Sequence, residues 1–301
     1  MKHLLLAVCL LSLIVSCKRE VFQSEDVMDK SLLAYAEIPK ESHRELYGLW
    51  TGIAKPDYNL DEVDNVEDTP SKLTIKITRI IKDSVFGQSI SKGSRSSFKG
   101  ILSNKNGLLF FTLNETGKNK QDGKFELSIN NDTLQGKWAI YKPNDETNPR
   151  KKLKLVQKDF IYDPKVMLEE DYNTFIDWDN PVVKDFSYTT EEGKEIPYKR
   201  ETYRISSEDV FKINASTDVL TEESLKNFKK VDLEIIKNSI YARHGYAFKK
   251  KAFRDFFESN EWYVPLSDNV DKELTKLEKK NIALLKRMEE YATDHYQTFG
   301  R

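Results

Sequence analysis

Between Glu45 and Gln157 the sequence breaks into short runs that suit strands, and no segment in that stretch carries a helical period. Leu46-Tyr47-Gly48-Leu49-Trp50-Thr51-Gly52-Ile53 is the first run. In the second, Leu73, Ile75 and Ile77 alternate with Lys72, Thr74 and Lys76, the two-residue period of a strand buried on one face. Further runs follow at Ser84–Ile90, Ser97–Leu102, Gly107–Leu113, Lys124–Ile129, Thr133–Tyr141 and Lys152–Gln157. Turn formers separate them, among them Ser91-Lys92-Gly93-Ser94, Asn104-Lys105-Asn106-Gly107 and Asn130-Asn131-Asp132. Asp57–Pro70 is acidic and reads as a loop. Eight short strands in about 110 residues would leave exposed edges unless the sheet closes, so an antiparallel β-barrel-like domain is expected at 45–158.

The pattern changes near Leu220. Leu220 and Leu225 flank Thr221 as a hydrophobic staple flanks an N-cap. Asp232 is placed to cap a second helix, on which Leu233, Ile236, Ile240, Tyr241 and His244 share one face, with Lys237 reaching to solvent from its edge. Gly245 suits the left-handed position after a helix end. A last helix is expected from about Val270 to Tyr291. Between the two patterns, 159–215 reads as a connecting segment packed against one neighbour, with a short helix in Met167–Trp178 and a strand at Tyr198–Ile205.

Two short motifs extend this reading to families. Gly48-Leu49-Trp50 resembles the Gly-x-Trp opening of lipocalin-type barrels, in which the tryptophan closes the barrel's base. Asn238-Ser239-Ile240-Tyr241-Ala242-Arg243-His244-Gly245-Tyr246, followed by Phe248, Phe253, Phe256-Phe257, Trp262-Tyr263 and Glu278-x-x-Asn281-Ile282, resembles the YARHG domain of bacterial extracytoplasmic proteins. The resemblance covers residues 216–291 and implies an exported or surface-associated protein; it brings no assigned site with it. Arg243 and His244 stand where a helix C-terminus favours cations, and Arg243 is expected to lock onto a carboxylate such as Glu278. His244 then becomes a hydrogen-bonded core histidine, and Asn238 and Asn281 bridge helix ends. Asn238, Tyr241, Arg243, His244, Tyr246, Trp262 and Tyr263 are therefore either structural core or the lining of a binding groove.

At the amino terminus, Met1-Lys2-His3 precedes the apolar run Leu4–Val15, too short to span a bilayer and suited to an export signal. The two cysteines of the chain are Cys9 and Cys17. Leu13-Ile14-Val15-Ser16-Cys17 resembles the lipobox of bacterial lipoproteins, which implies cleavage before Cys17 and acylation of that residue, palmitate included. Stable anchoring then follows from several acyl chains. The lack of aspartate after the cysteine implies the outer membrane, with the facing left open between periplasm and exterior. The expected layout is an α+β, multidomain chain: a signal at 1–16, a tether at 17–44, the barrel-like domain at 45–158, the connector at 159–215 and the helical domain at 216–295.

Several chemistries find no support. Lys plus Arg is 48 against 49 for Asp plus Glu, so no basic excess points to nucleic acid. No downstream cysteine offers a thiolate, and His43, His244 and His295 show no zinc spacing, so no metal and no cofactor is expected. Nucleophile-elbow, phosphate-loop and dinucleotide motifs are absent, and Gly87-Gln88-Ser89 is only a fragment of the first. No catalytic residue is assigned. The expected function is a lipid-anchored envelope protein with a non-catalytic binding or scaffolding role. Its partners are the membrane through the anchor and cell-wall, glycan or envelope-protein material. The alternatives are a carrier of a small apolar ligand inside the barrel, and a metal-free hydrolase of cell-wall or glycan material.

Overall fold

The structure, a computed structural model, describes residues 40–57, 69–116, 119–143, 150–170 and 174–293. The export signal, Cys17, most of the tether and His295 lie outside the described residues. Eight antiparallel strands close a barrel in chain order: β1 (Gly48–Pro56), β2 (Ser71–Ile81), β3 (Ser84–Ser91), β4 (Ser94–Lys105), β5 (Leu108–Glu115), β6 (Gly123–Asn130), β7 (Thr133–Ile140) and β8 (Arg150–Gln157). The β1–β8 pairing, from Trp50↔Gln157 to Pro56↔Lys151, makes the closure. The expected barrel is therefore present, with eight strands.

Alternation decides what fills it. Phe98 and Leu102 on β4, Phe111 and Leu113 on β5, Phe125 and Leu127 on β6, and Leu153 and Leu155 on β8 point inward and pack in one cluster with Trp50, Ile75 and Ile77. The indole of Trp50 donates to the Leu46 carbonyl at 3.0 Å, so its polar edge is satisfied near the start of β1. Phe110 and Trp138 are half-buried, and Tyr141 is exposed. Gly100 shows how tightly the walls approach. A Cβ there would lie 2.2 Å from the Thr112 carbonyl oxygen, and only glycine fits.

Beyond the barrel, two further strands, β9 (Val182–Thr189) and β10 (Glu195–Thr202), form a separate two-stranded ribbon. Four helices follow: α1 (Glu222–Leu225), α2 (Lys230–Arg243), α3 (Lys251–Glu258) and α4 (Lys276–Tyr291). Their core joins Leu225, Leu233, Ile236, Ile240, Phe253, Phe256, Phe257 and Leu285, and Leu168 and Phe175 of the connector belong to it.

Several local expectations need correction. Asp232 is not the N-cap of α2 but its third residue. Its carboxylate accepts from the Lys229 backbone N–H at 3.1 Å and from the Ser207 N–H at 2.7 Å. The last helix begins at Lys276, because Thr275 caps it in a reciprocal box with Glu278. No helix forms in the described part of 167–178, and the second ribbon strand starts at Glu195, three residues before Tyr198. Lys237 does not end in solvent: its ammonium lies 2.6 Å from both carboxylate oxygens of Glu289 on α4.

The barrel and helical part belong to one compact unit. Lys72 on β2 bonds them: its ammonium donates to the Asn260 and Tyr263 carbonyls at 2.6 and 2.9 Å, and its N–H to the Glu258 carboxylate at 2.8 Å. Burial pulls the Lys72 ammonium down to about 8 and pushes the Glu258 carboxyl up to about 7.

Candidate functional site

The segment Tyr241-Ala242-Arg243-His244-Gly245-Tyr246 ends α2, and its residue types follow from that geometry. Gly245 takes φ +74°, the left-handed conformation a helix stop requires. Its N–H donates to the Ala242 carbonyl at 2.9 Å, and the Tyr246 N–H to the Tyr241 carbonyl at 3.0 Å. These two bonds are the Schellman pattern, which also favours an apolar contact between the outer two residues. Here that contact is Tyr241 against Tyr246, ring centroids 5.9 Å apart. A Cβ on Gly245 would also meet Leu266 at 2.7 Å.

Arg243 and His244 point inward. The carboxylate of Glu278, 0% exposed, accepts from His244 Nε2 at 2.9 Å, from the Tyr162 hydroxyl at 2.8 Å and from the Thr275 N–H at 2.8 Å. Tyr162 also stacks on the His244 ring at 4.2 Å. Burial pushes the Glu278 carboxyl up, but the bonds from His244, Thr275 and Tyr162 outweigh it and hold it at about 2. The expected Arg243–Glu278 pair is thus replaced by His244–Glu278. Arg243 instead donates through Nε to the Val166 carbonyl at 2.8 Å and through Nη1 to Ser239 Oγ at 3.0 Å. Both Tyr162 and Val166 lie in the connector, far away in sequence. Asn281 bonds not to a helix end but to the turn before α1, donating to the Ala215 and Asp218 carbonyls at 2.8 Å each. Asn238 bridges no helix ends either.

Tyr263 is buried; its hydroxyl donates to the Tyr246 carbonyl at 2.7 Å, and burial holds that phenol well above its ordinary value. Trp262 packs edge-on against Tyr263 with its indole N–H buried and unpartnered. The remaining three of the seven singled-out residues face outward together. Asn238, Tyr241 and Tyr246 line a pocket of about 290 Å³ with Asp268, Asn269, Val270 and Asp271. The loop is held there by backbone bonds from Leu266 N–H to the Gly245 carbonyl and from Ala247 N–H to the Ser267 carbonyl, both 2.8 Å. Asn269 turns it by accepting the Asp271 N–H at 2.9 Å. The phenol hydroxyls, the Asn238 amide and the Asp271 carboxylate make no hydrogen bond to described residues, and Arg95 stands 3.7 Å from Asp268. Burial, and then Asp271, push the Tyr241 phenol up.

In the sequence Val270 and Asp271 look like the first turn of the last helix, which hides the loop. Its signal is Ser267-Asp268-Asn269, three turn formers in a row.

Elsewhere, Glu115 at the end of β5 is a buried acid whose pKa is raised by burial. Its oxygens accept from Ser89 Oγ, from the Gly123 N–H at 2.6 Å and from the Trp138 indole at 3.1 Å, so they are committed to the barrel wall. Among the described residues no group of three or more His, Cys, Asp or Glu side chains is placed to hold a metal ion. No helix of the described residues is long and apolar enough to cross a membrane.

A family model for the YARHG domain matches residues 209–290. No curated protein and no solved structure matches the chain. The match takes in the helix stop, the Glu278 network and the pocket, so residues 209–290 are a YARHG domain set behind an eight-stranded barrel.

Proposed function

We propose that this protein is a lipid-anchored, non-catalytic binding module of the bacterial cell envelope whose recognition site is the Asn238–Tyr241–Tyr246–Asp271 pocket. One observation carries the reading: the YARHG domain spends Glu278, His244 and Asn281 on inward hydrogen bonds and gathers Asn238, Tyr241, Tyr246 and Asp271, whose side chains make none to described residues, in one concavity. Unspent donors and acceptors in a concave site are what a polar ligand replaces water at. With two carboxylates, Asp268 beside Arg95 and Asp271 without a side-chain partner, two phenols and two amides, the lining suits a small head group rich in donors, and above all a protonated amine set over the tyrosine faces. A volume of about 290 Å³ is at the small end for ligand sites, which favours one amino-sugar ring or aminoalkyl group over a whole oligomer.

The filled barrel interior argues against a carrier, because the side chains that would have to leave room for a ligand pack on one another. The committed oxygens of Glu115 argue against hydrolysis there. Support for the anchor is the sequence alone: the apolar run Leu4–Val15 ending in Ser16-Cys17. Replacing Cys17 by serine should release the protein from membranes, and continued detergent-dependent membrane association would contradict acylation.

The pocket is tested by titrating the protein with glucosamine oligomers and with their N-acetylated counterparts of equal length. The amine-bearing oligomers should bind and the acetylated ones should bind at least tenfold more weakly, with Asp271→Asn removing the preference. Equal affinity for both, or no effect of Asp271→Asn, would overturn the assignment.

A further inference from the structure

The β9–β10 ribbon stands outside both hydrophobic cores, and its register sorts its side chains by chemistry. Directly opposed residues in an antiparallel pair share a face. One face therefore carries Lys184↔Arg200, Phe186↔Tyr198 and Tyr188↔Ile196. The other carries Asp185↔Lys199 and Thr189↔Glu195, with Glu201 opposite Val183. The first face has two cations and no carboxylate; the second has three carboxylates and one lysine.

Three observations show that the first face lacks its partner. An isolated two-stranded ribbon is marginal in water, yet this one is eight residues long on each strand. Its aromatic side chains stay in solvent, with Tyr188 53% and Tyr198 40% exposed, although Tyr198 stacks on Phe186 at 5.7 Å. Lys184 and Arg200 are directly opposed like charges, an unfavourable pair that an anion between them would turn favourable.

We infer that the Lys184–Phe186–Tyr188–Ile196–Tyr198–Arg200 face of the ribbon docks on an anionic lipid surface. Aromatic rings belong at the boundary between headgroups and acyl chains, and Lys and Arg beside them reach lipid phosphates. Apart from the tyrosine hydroxyls, the neutral groups of the face are apolar from Phe186 to Ile196, so it grips no sugar hydroxyls as a glycan site does. Strand addition is disfavoured along β10, where Pro197 supplies no N–H. The acidic turn residues Glu191 and Glu192 keep the tip away from an anionic surface, so the ribbon lies flat. This inference stands independently of the pocket and of Cys17.

The test uses the chain from Lys18 onward, which retains every described residue and lacks the acyl site. Cosedimentation is measured with vesicles of phosphatidylglycerol and phosphatidylcholine and with vesicles of phosphatidylcholine alone. Binding to the anionic vesicles is expected, weakening with salt, and Lys184→Ser with Arg200→Ser should lower it about 30-fold. Phe186→Ser with Tyr198→Ser should lower it comparably, and both pairs should leave the melting temperature unchanged, since neither touches a core. Absence of binding to the anionic vesicles, equal binding to neutral ones, or full binding by the charge variants would overturn the inference. A concentration-dependent dimer abolished by the same variants, without vesicle binding, would assign the face to a second copy instead.

Discussion

The barrel and the YARHG domain reach closed cores by opposite means. Inside the barrel, hydrocarbon meets hydrocarbon: Phe111, Leu113, Phe125 and Leu155 pack without direction, and closure of β1 on β8 satisfies the backbone. The YARHG domain also has an apolar core, but it is threaded with polar groups that each have a geometry to meet. Glu278, Asn281 and Asn260 are all completely buried, and Arg243 and His244 nearly so. Most of them bond to segments remote in sequence. The difference teaches that apolar packing dominates the first region, with Glu115 bonded into its wall, whereas the second needs particular atoms in particular places throughout its core.

That contrast can be broken by substitutions that keep volume and change chemistry. The largest expected effect is Glu278→Gln, which puts an NH₂ among three donors. It should cost about 3 kcal/mol in denaturant unfolding, because a buried charge network loses its acceptor. A cost below about 1 kcal/mol would mean that the network is not what specifies the domain.

Next comes the Glu258 contact beneath Lys72. Its folded value near 7 lies above the ordinary 4.5, so the folded state holds the proton more tightly. The stabilisation is complete below pH 4.5 and lost as pH rises through 7; Glu258→Gln should remove this slope, on the order of 2 kcal/mol. Glu278 runs the other way. Its contribution is complete above pH 4.5 and lost as pH falls towards 2.

In the barrel, Leu155→Met keeps volume and apolarity and should cost less than about 1.5 kcal/mol. Smallest of all is Tyr241→Phe with Asn238→Ala in the pocket. Neither side chain bonds to described residues, so stability should change by about 0.5 kcal/mol or less.

How much of this was legible follows from the same contrast. Period-two alternation such as Leu73-x-Ile75-x-Ile77 is a local signal, and the barrel could be read from it. β9 could not, because both its faces are exposed and its opening Val182-Val183-Lys184-Asp185 puts one valine and one charge on each face. The helix stop at Gly245 was legible from one glycine. The partner of Glu278 was not. Arg243 was the stronger ion-pair candidate on chemistry, but its place in the last turn of α2 turns it towards Val166, and Tyr162 arrives to hold His244 against the carboxylate. Non-local contacts made by an irregular connector leave no period in the sequence. The pocket was half legible, since Asn238, Tyr241 and Tyr246 belong to the motif while Asp268 and Asp271 hide before a helix whose true cap is Thr275.

The division of the motif into an inward network and an outward recognition set is tested most directly by calorimetric titration with a glucosamine tetramer. Wild type and the Tyr241→Phe, Asn238→Ala double variant are compared under one buffer condition. The double variant should lose at least tenfold in affinity, about 1.4 kcal/mol, while melting at the wild-type temperature. Equal affinity in the two proteins would contradict the division and return Tyr241 and Asn238 to the fold.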